Sequence, residues 1–179
     1  MATSYKVLGQ VVPYTYSVSF GSSTVSLTAH GLANGTPVSF PTVVTTTGII
    51  INTTYFVVNA ATDSFQISLT VGGTAVTFVT AGTGTMITTT TLYSVPGSTS
   101  AVVSTLSICN QGISGTIRVA VRPAGAVLSA KHYILYDASI NANDSLFFTL
   151  GISLATTDVI TVYASNAGMS FNLYGTEIV

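Results

Sequence analysis

Apolar and polar residues alternate along this chain with a period of two, and turn signals interrupt the alternation every few residues. Val25, Leu27 and Ala29 alternate with Ser26 and Thr28 until His30-Gly31 breaks the run. Phe65, Ile67 and Leu69 alternate with Gln66, Ser68 and Thr70, after which Gly72-Gly73 reverses the chain. A period of two puts successive side chains on opposite faces of an extended backbone, so each run predicts a half-buried strand. Asn34-Gly35 is a turn signal, and Pro37 stands where a strand can begin. Val76 and Phe78 predict a further strand, with the Gly/Thr run 80–85 as its exit. Thr53–Val58 is apolar on both faces, the pattern of a strand covered from both sides.

The second half reads the same way. Ile117, Val119 and Val121 face one side while Arg118 and Arg122 face the other, and Pro123, which lacks an N–H, ends the strand. Tyr133–Tyr136, Ser145–Leu150, Asp158–Ala164 and Met169–Tyr174 continue a series of short strands separated by Gly, Asn and Asp. No segment has the 3.6-residue period of a long amphipathic helix, and no fixed repeat suggests a solenoid or propeller. The chain is therefore all-β, with strand spacing that predicts a sandwich, a jelly roll or a small barrel. Four consecutive threonines, Thr88–Thr91, favour extended backbone and mark a joint between two β modules.

Composition changes the picture in one respect. Of 179 residues, 47% are hydrophobic and only 5% charged, against about 25% charged in an average soluble domain. A freely diffusing protein relies on surface charge to stay apart from its neighbours. So little charge predicts an exterior hidden against other subunits, including copies of itself. The apolar stretches, such as Gly48–Ile51, are too short for a spanning helix of about 20 residues, and no basic-then-apolar secretory signal opens the chain. A net charge of −1, with Arg118, Arg122 and Lys131 as scattered cations, gives no footprint for nucleic acid. No membrane partner is expected.

Two sets of residues carry a resemblance. Tyr5–Gln10 with Pro13, Thr90–Pro96, Ser107–Asn110, Arg118–Gly125, Lys131–Tyr133, Asn143-Asp144, Leu150-Gly151, Asp158–Ser165 and Gly175–Ile178 resemble a small family of tailed-bacteriophage virion proteins. In that family the Leu-Gly-Gln opening leads almost directly into the Leu-Tyr-x-Val-Pro segment. Here about seventy residues intervene, which predicts a domain inserted in a loop, since loops tolerate insertions whose ends lie close. Within them, Ala29–Leu32, Gly35, Val38, Phe40, Tyr55–Val58, Asp63–Phe65 and Ile67 are similar to a small β module of phage structural proteins. That module is related in profile to the catalytic-cysteine half-domain of ubiquitin-activating enzymes. No activity is implied, because the single cysteine, Cys109, lies outside the insert.

The ionisable inventory points away from catalysis. His30 and His132 fall in different modules, no Gly-x-Ser-x-Gly elbow is present, and no His, Cys or carboxylate cluster has metal-ligand spacing. His30, before Gly31, reads as a turn residue whose ring bonds nearby backbone, and His132 as a strand residue. Asp144 and Asp158 read as turn acceptors. Asp137 and Asp144 are the one carboxylate pair a hairpin would bring together, but neither lies in a glycosidase motif. Cys109, with Leu106 and Ile108 as neighbours, is expected to be a buried, inert thiol.

The expectation is thus a jelly-roll-like β-sandwich from residues 1–17 and 89–179, interrupted by a small barrel-like module at 18–88. No enzyme, catalytic residue, cofactor or metal is expected. The resemblance implies a structural protein of the phage particle, assembled in the host cytoplasm and binding other virion proteins and its own copies. Capsid decoration or cementing is the first placement, and a tail, neck or baseplate adaptor the alternative. A host-glycan-binding module is a further alternative, supported by nine tyrosines and weakened by the lack of tryptophan.

Overall fold

The computed structural model describes residues 3–179, whose regular secondary structure is almost entirely strand. In chain order these are β1 (Thr3–Val11), β2 (Thr15–Gly21), β3 (Thr24–Ser26), β4 (Pro37–Val44), β5 (Tyr55–Val58), β6 (Ser64–Ser68) and β7 (Gly82–Thr88). There follow β8 (Thr90–Ser94), β9 (Ser100–Asn110), β10 (Gly115–Arg122), β11 (Tyr133–Ile140), β12 (Ser145–Leu154), β13 (Val159–Ala164) and β14 (Met169–Ile178). The only helical turns among the described residues are two short 3₁₀ turns, Pro123–Gly125 and Ala130–His132.

Two compact units result. One comprises residues 3–13, 90–164 and 168–179, the other residues 14–89 and 165–167. The first is a sandwich of two four-stranded antiparallel sheets, ordered β1-β14-β9-β12 and β11-β10-β13-β8. Counted one to eight along this unit, the sheets read 1-8-3-6 and 5-4-7-2, the strand order of a jelly roll. Leu106, Ile108, Phe171 and Leu173 from one sheet meet Ile117, Val119, Ile160 and Val162 from the other in a closed core. The sheets approach closely at Gly9, where a Cβ would collide with the Leu92 carbonyl oxygen of the opposite sheet.

Strand β9 is central to its sheet yet has no unbroken alternation. Ala101 and Val103 face the core, and so do Leu106, Ile108 and Asn110. The phase slips at Ser104 because the pairing with β14 passes from Val103 to Thr105 there. A bulge of this kind hides a strand from a period-two reading.

The second unit is a closed antiparallel barrel, ordered β2-β3-β6-β5-β4-β7. Its core stacks Phe20 edge-on against Phe40 and Phe78, at ring separations of 5.4 and 5.9 Å. The barrel strands begin at Thr15 and not at residue 18, because Thr15, Tyr16 and Ser17 already pair with Ile87, Met86 and Thr85 of β7. Val76 and Phe78 do not form the expected strand. They lie in the connection before β7, with Phe78 fully buried, and the Gly/Thr run itself is the strand. Gly84 has to be glycine, since a Cβ would strike the Thr42 carbonyl oxygen across the β4–β7 pair.

The chain enters the barrel on β2 and leaves on β7, and these two strands are hydrogen-bonded neighbours. An insert with adjacent ends adds little loop-closure entropy to its host. Excising residues 14–89 and bridging the gap with a short Gly/Ser linker is therefore expected to leave a folded sandwich. Far-UV circular dichroism and a cooperative melt check this, and loss of the β signal would refute it.

Candidate assembly interface

The residues singled out for chemistry are brought together only as local clasps. His30 Nδ1 accepts the Leu32 N–H at 2.9 Å, so Nε2 carries the proton and donates to the Ser64 carbonyl at 3.2 Å. Asp63 accepts from the Ala29 N–H at 2.8 Å, and the His30 ring packs edge-on against Phe65. The two motif stretches of the insert thus hold one loop against another.

His132 is not in a strand. It ends the 3₁₀ turn before β11, buried, with Nδ1 accepting the Ser129 N–H at 3.1 Å. Asp158 accepts the N–H groups of Ala124 and Ala155, and Asp144 accepts that of Ser145. Asp137 is bonded to Arg118. Among the described residues no three His, Cys, Asp or Glu side chains gather as a metal site. No helix among them is long and apolar enough to cross a membrane.

Arg118 forms the densest polar cluster. Its Nε and one terminal nitrogen donate to both carboxylate oxygens of Asp137 at 2.7 and 2.9 Å. The guanidinium carbon sits 4.0 Å from the Tyr136 ring centre and 5.5 Å from that of Tyr163. A bulge in β11 makes this possible. The pairing steps from Ile117–Ala138 to Val119–Leu135, so Tyr136 and Asp137 both stand opposite Arg118. Asp137 takes φ +50° there, a conformation that Asp tolerates better than most residues. Burial works against the Arg118 charge, and the Asp137 carboxylate more than offsets it, holding the pKa above its ordinary value. The alternation places Arg118 opposite the core-facing side chains, as the sequence indicated. It does not reveal that the side chain is only 2% exposed.

At one end of the sandwich the opening and closing motif stretches pair strand to strand as β1 and β14. Lys6 donates to Glu177 at 2.5 Å, and Glu177 also accepts the Tyr93 hydroxyl at 2.8 Å. Hydrogen bonds from Lys6 and then Tyr93 hold the Glu177 carboxyl below the usual carboxylate range. A depressed folded-state pKa means the unfolded chain takes up the proton first as pH falls. Stability from this triad is thus present above the ordinary carboxylate pKa and lost as pH drops through the folded value. The melting-temperature difference between the parent and Glu177→Gln should shrink between about pH 6 and about pH 3. A difference independent of pH would refute the coupling.

The sheet β1-β14-β9-β12 presents a different surface. Its outward positions carry Tyr5 and Val7 on β1, Tyr174 on β14, Val102 on β9 and Phe147 on β12, among Ser, Thr, Asn and Gln. No charged residue stands at an outward position of these four strands. Phe147 is 74% exposed and Tyr5 63%. The outer face of the other sheet is more covered, with Arg118, Ala120, Thr161 and Tyr163 buried and Tyr136 exposed.

Cys109 belongs to the open face and not to the core. Leu106 and Ile108 take the inward positions, so the alternation turns Cys109 outward, opposite Ser145 and Ser170, where it is partly exposed. A hollow of about 640 Å³ also opens on the barrel wall, lined by the hydroxyls of Ser17, Ser19, Ser26, Thr28, Thr42, Thr83 and Thr85. No aromatic or charged side chain lines it.

Comparison with protein-family models, with curated proteins and with solved structures finds no match to this chain.

Proposed function

We propose that this chain is a non-enzymatic structural component of a tailed-phage virion that decorates or cements the capsid. The observation that carries the reading is the open sheet face, four strands wide and without a charge, on a jelly-roll sandwich. Burying such a face costs no charge desolvation, whereas leaving it in water exposes aromatic and aliphatic groups that a monomer gains nothing from. The motif resemblance supplies the setting, and jelly rolls recur in capsid proteins. The His30, His132, Asp137, Asp158, Arg118, Lys6 and Glu177 side chains are engaged with backbone or with other side chains, which suits a mechanical role.

A tail, neck or baseplate adaptor is the second reading. It is favoured by the inserted barrel, a separate compact unit whose first and last strands are hydrogen-bonded neighbours. Host-glycan binding has less support, because the hydroxyl-lined hollow offers no ring for a sugar to stack on.

Quantitative mass spectrometry of purified particles tests the proposal. Decoration predicts a copy number comparable with that of the major capsid protein, and an adaptor a small multiple of the tail symmetry. Absence of the chain from washed, infectious particles would end both readings.

A further inference from the structure

We infer that the open face of the β1-β14-β9-β12 sheet binds the same face of a second copy, giving a two-fold dimer of this chain. The inference deepens the structural reading and rests on it for its purpose, but the pairing is a property of the isolated chain.

Area is the first argument. The four strands run nine to eleven residues each. With strands about 4.8 Å apart and residues about 3.4 Å apart, the face covers roughly 600 Å² per copy. Two such faces remove about 1,200 Å² from water, within the range of stable, specific interfaces and above that of most lattice contacts.

Electrostatic match is the second. A face without charges has no field with which to select an oppositely charged partner. Its chemical complement is a surface equally neutral, hydroxyl-rich and studded with a few apolar anchors, and a second copy supplies that by symmetry. Sheets pack face to face about 10 Å apart, so apolar side chains from both copies interdigitate between them. Phe147 is the chief anchor. It stands at an outward position of β12, an edge strand, with most of its surface exposed.

The inward side of this sheet is already spent on the sandwich core, so the outer side is where the second copy can be received. Lys6 and Glu177 do not intrude, because they occupy core-side positions at one end of β1 and β14 and bind each other. Tyr5 is held in place by a 2.8 Å hydroxyl contact with Ser104, which reduces the ordering required on association.

Analytical ultracentrifugation of the full chain from about 1 to about 100 µM tests this. The parent is expected to dimerise within that range. Phe147→Asp and, separately, Val7→Lys should each weaken the dimer about a hundredfold, since each places a charge in the interface of both copies. Val127→Asp, on an exposed loop, should leave it unchanged. Circular dichroism verifies that each variant folds. Cys109 gives an independent readout: its reaction with a small thiol reagent should slow as parent concentration rises, and should not slow for Phe147→Asp.

A parent chain that stays monomeric throughout, or a dimer that survives both face variants, overturns the inference. So does a monomeric parent that binds capsids through Phe147, because the occupant would then be another protein. Each of these results leaves the virion reading standing if the chain is found in particles. Dimers formed by a chain absent from particles would remove that reading alone.

Discussion

A Gly9→Val chain is expected to lose about 3 kcal/mol or more of sandwich stability, the upper part of the range for overpacked sites. The reason is steric. A Cβ at residue 9 meets the backbone oxygen of Leu92, and the Leu92 carbonyl carbon follows at 3.0 Å. A flexible side chain would move aside, but here β1 and β8, in opposite sheets, would have to separate. Separation opens voids beside Leu173, which stands opposite Gly9 and is fully buried, and the lost dispersion contacts add to the strain. Denaturant titration of purified protein measures the loss. A change below about 0.5 kcal/mol would show that the sheets are not held at the described separation.

Removal of the Asp137 carboxylate should have the next largest effect. Asp137→Ala is expected to cost about 3 kcal/mol, the lower end for breaking a buried ion pair, because Asp137 itself is partly exposed. Arg118 cannot follow its lost partner into water, since Tyr136 and Tyr163 pack on the guanidinium. The alanine also inherits the φ of +50°, which Asp tolerates better than Ala. Asp137→Asn separates the two contributions: it keeps the backbone preference and loses the charge, so its cost should be smaller. Equal losses for both variants would mean that the backbone preference adds nothing to the effect. Urea unfolding of the three chains, followed by tyrosine fluorescence, provides the comparison.

Much of this architecture was legible in the chain because one face of each strand is buried. Where alternation is clean, as in Ile117–Val121 or Met169–Leu173, the inward residues are those the pattern names. Where it fails, a local device is responsible. The slip at Ser104 conceals β9, and the bulge at Asp137 aims two consecutive residues at one arginine. Val76 and Phe78 alternate about the polar Thr77, as in a strand, yet Phe78 fills the barrel core from a connecting segment. Cys109 shows the converse error: its apolar neighbours suggested burial, when their burial is what turns it outward.

The open face was visible in the sequence only as a shortage of charge, without an address. Phe147 and Phe148 are adjacent and chemically identical, and register alone decides that Phe148 packs on the core while Phe147 meets water. Gly9 was conspicuous only as part of a motif. Its steric necessity depends on Leu92, more than eighty residues away in sequence. Long-range partners of this kind leave no local signature.

The neighbouring entry and exit strands of the barrel have a mechanical consequence. Tension applied between Pro13 and Thr90 pulls β2 and β7 apart from the end where Thr15 faces Ile87. Antiparallel strands loaded at one end open like a zipper, each hydrogen bond bearing the load in turn instead of sharing it. The inserted module would therefore yield at low force, unspooling as a compliant tether while the jelly roll on either side of the break kept its shape.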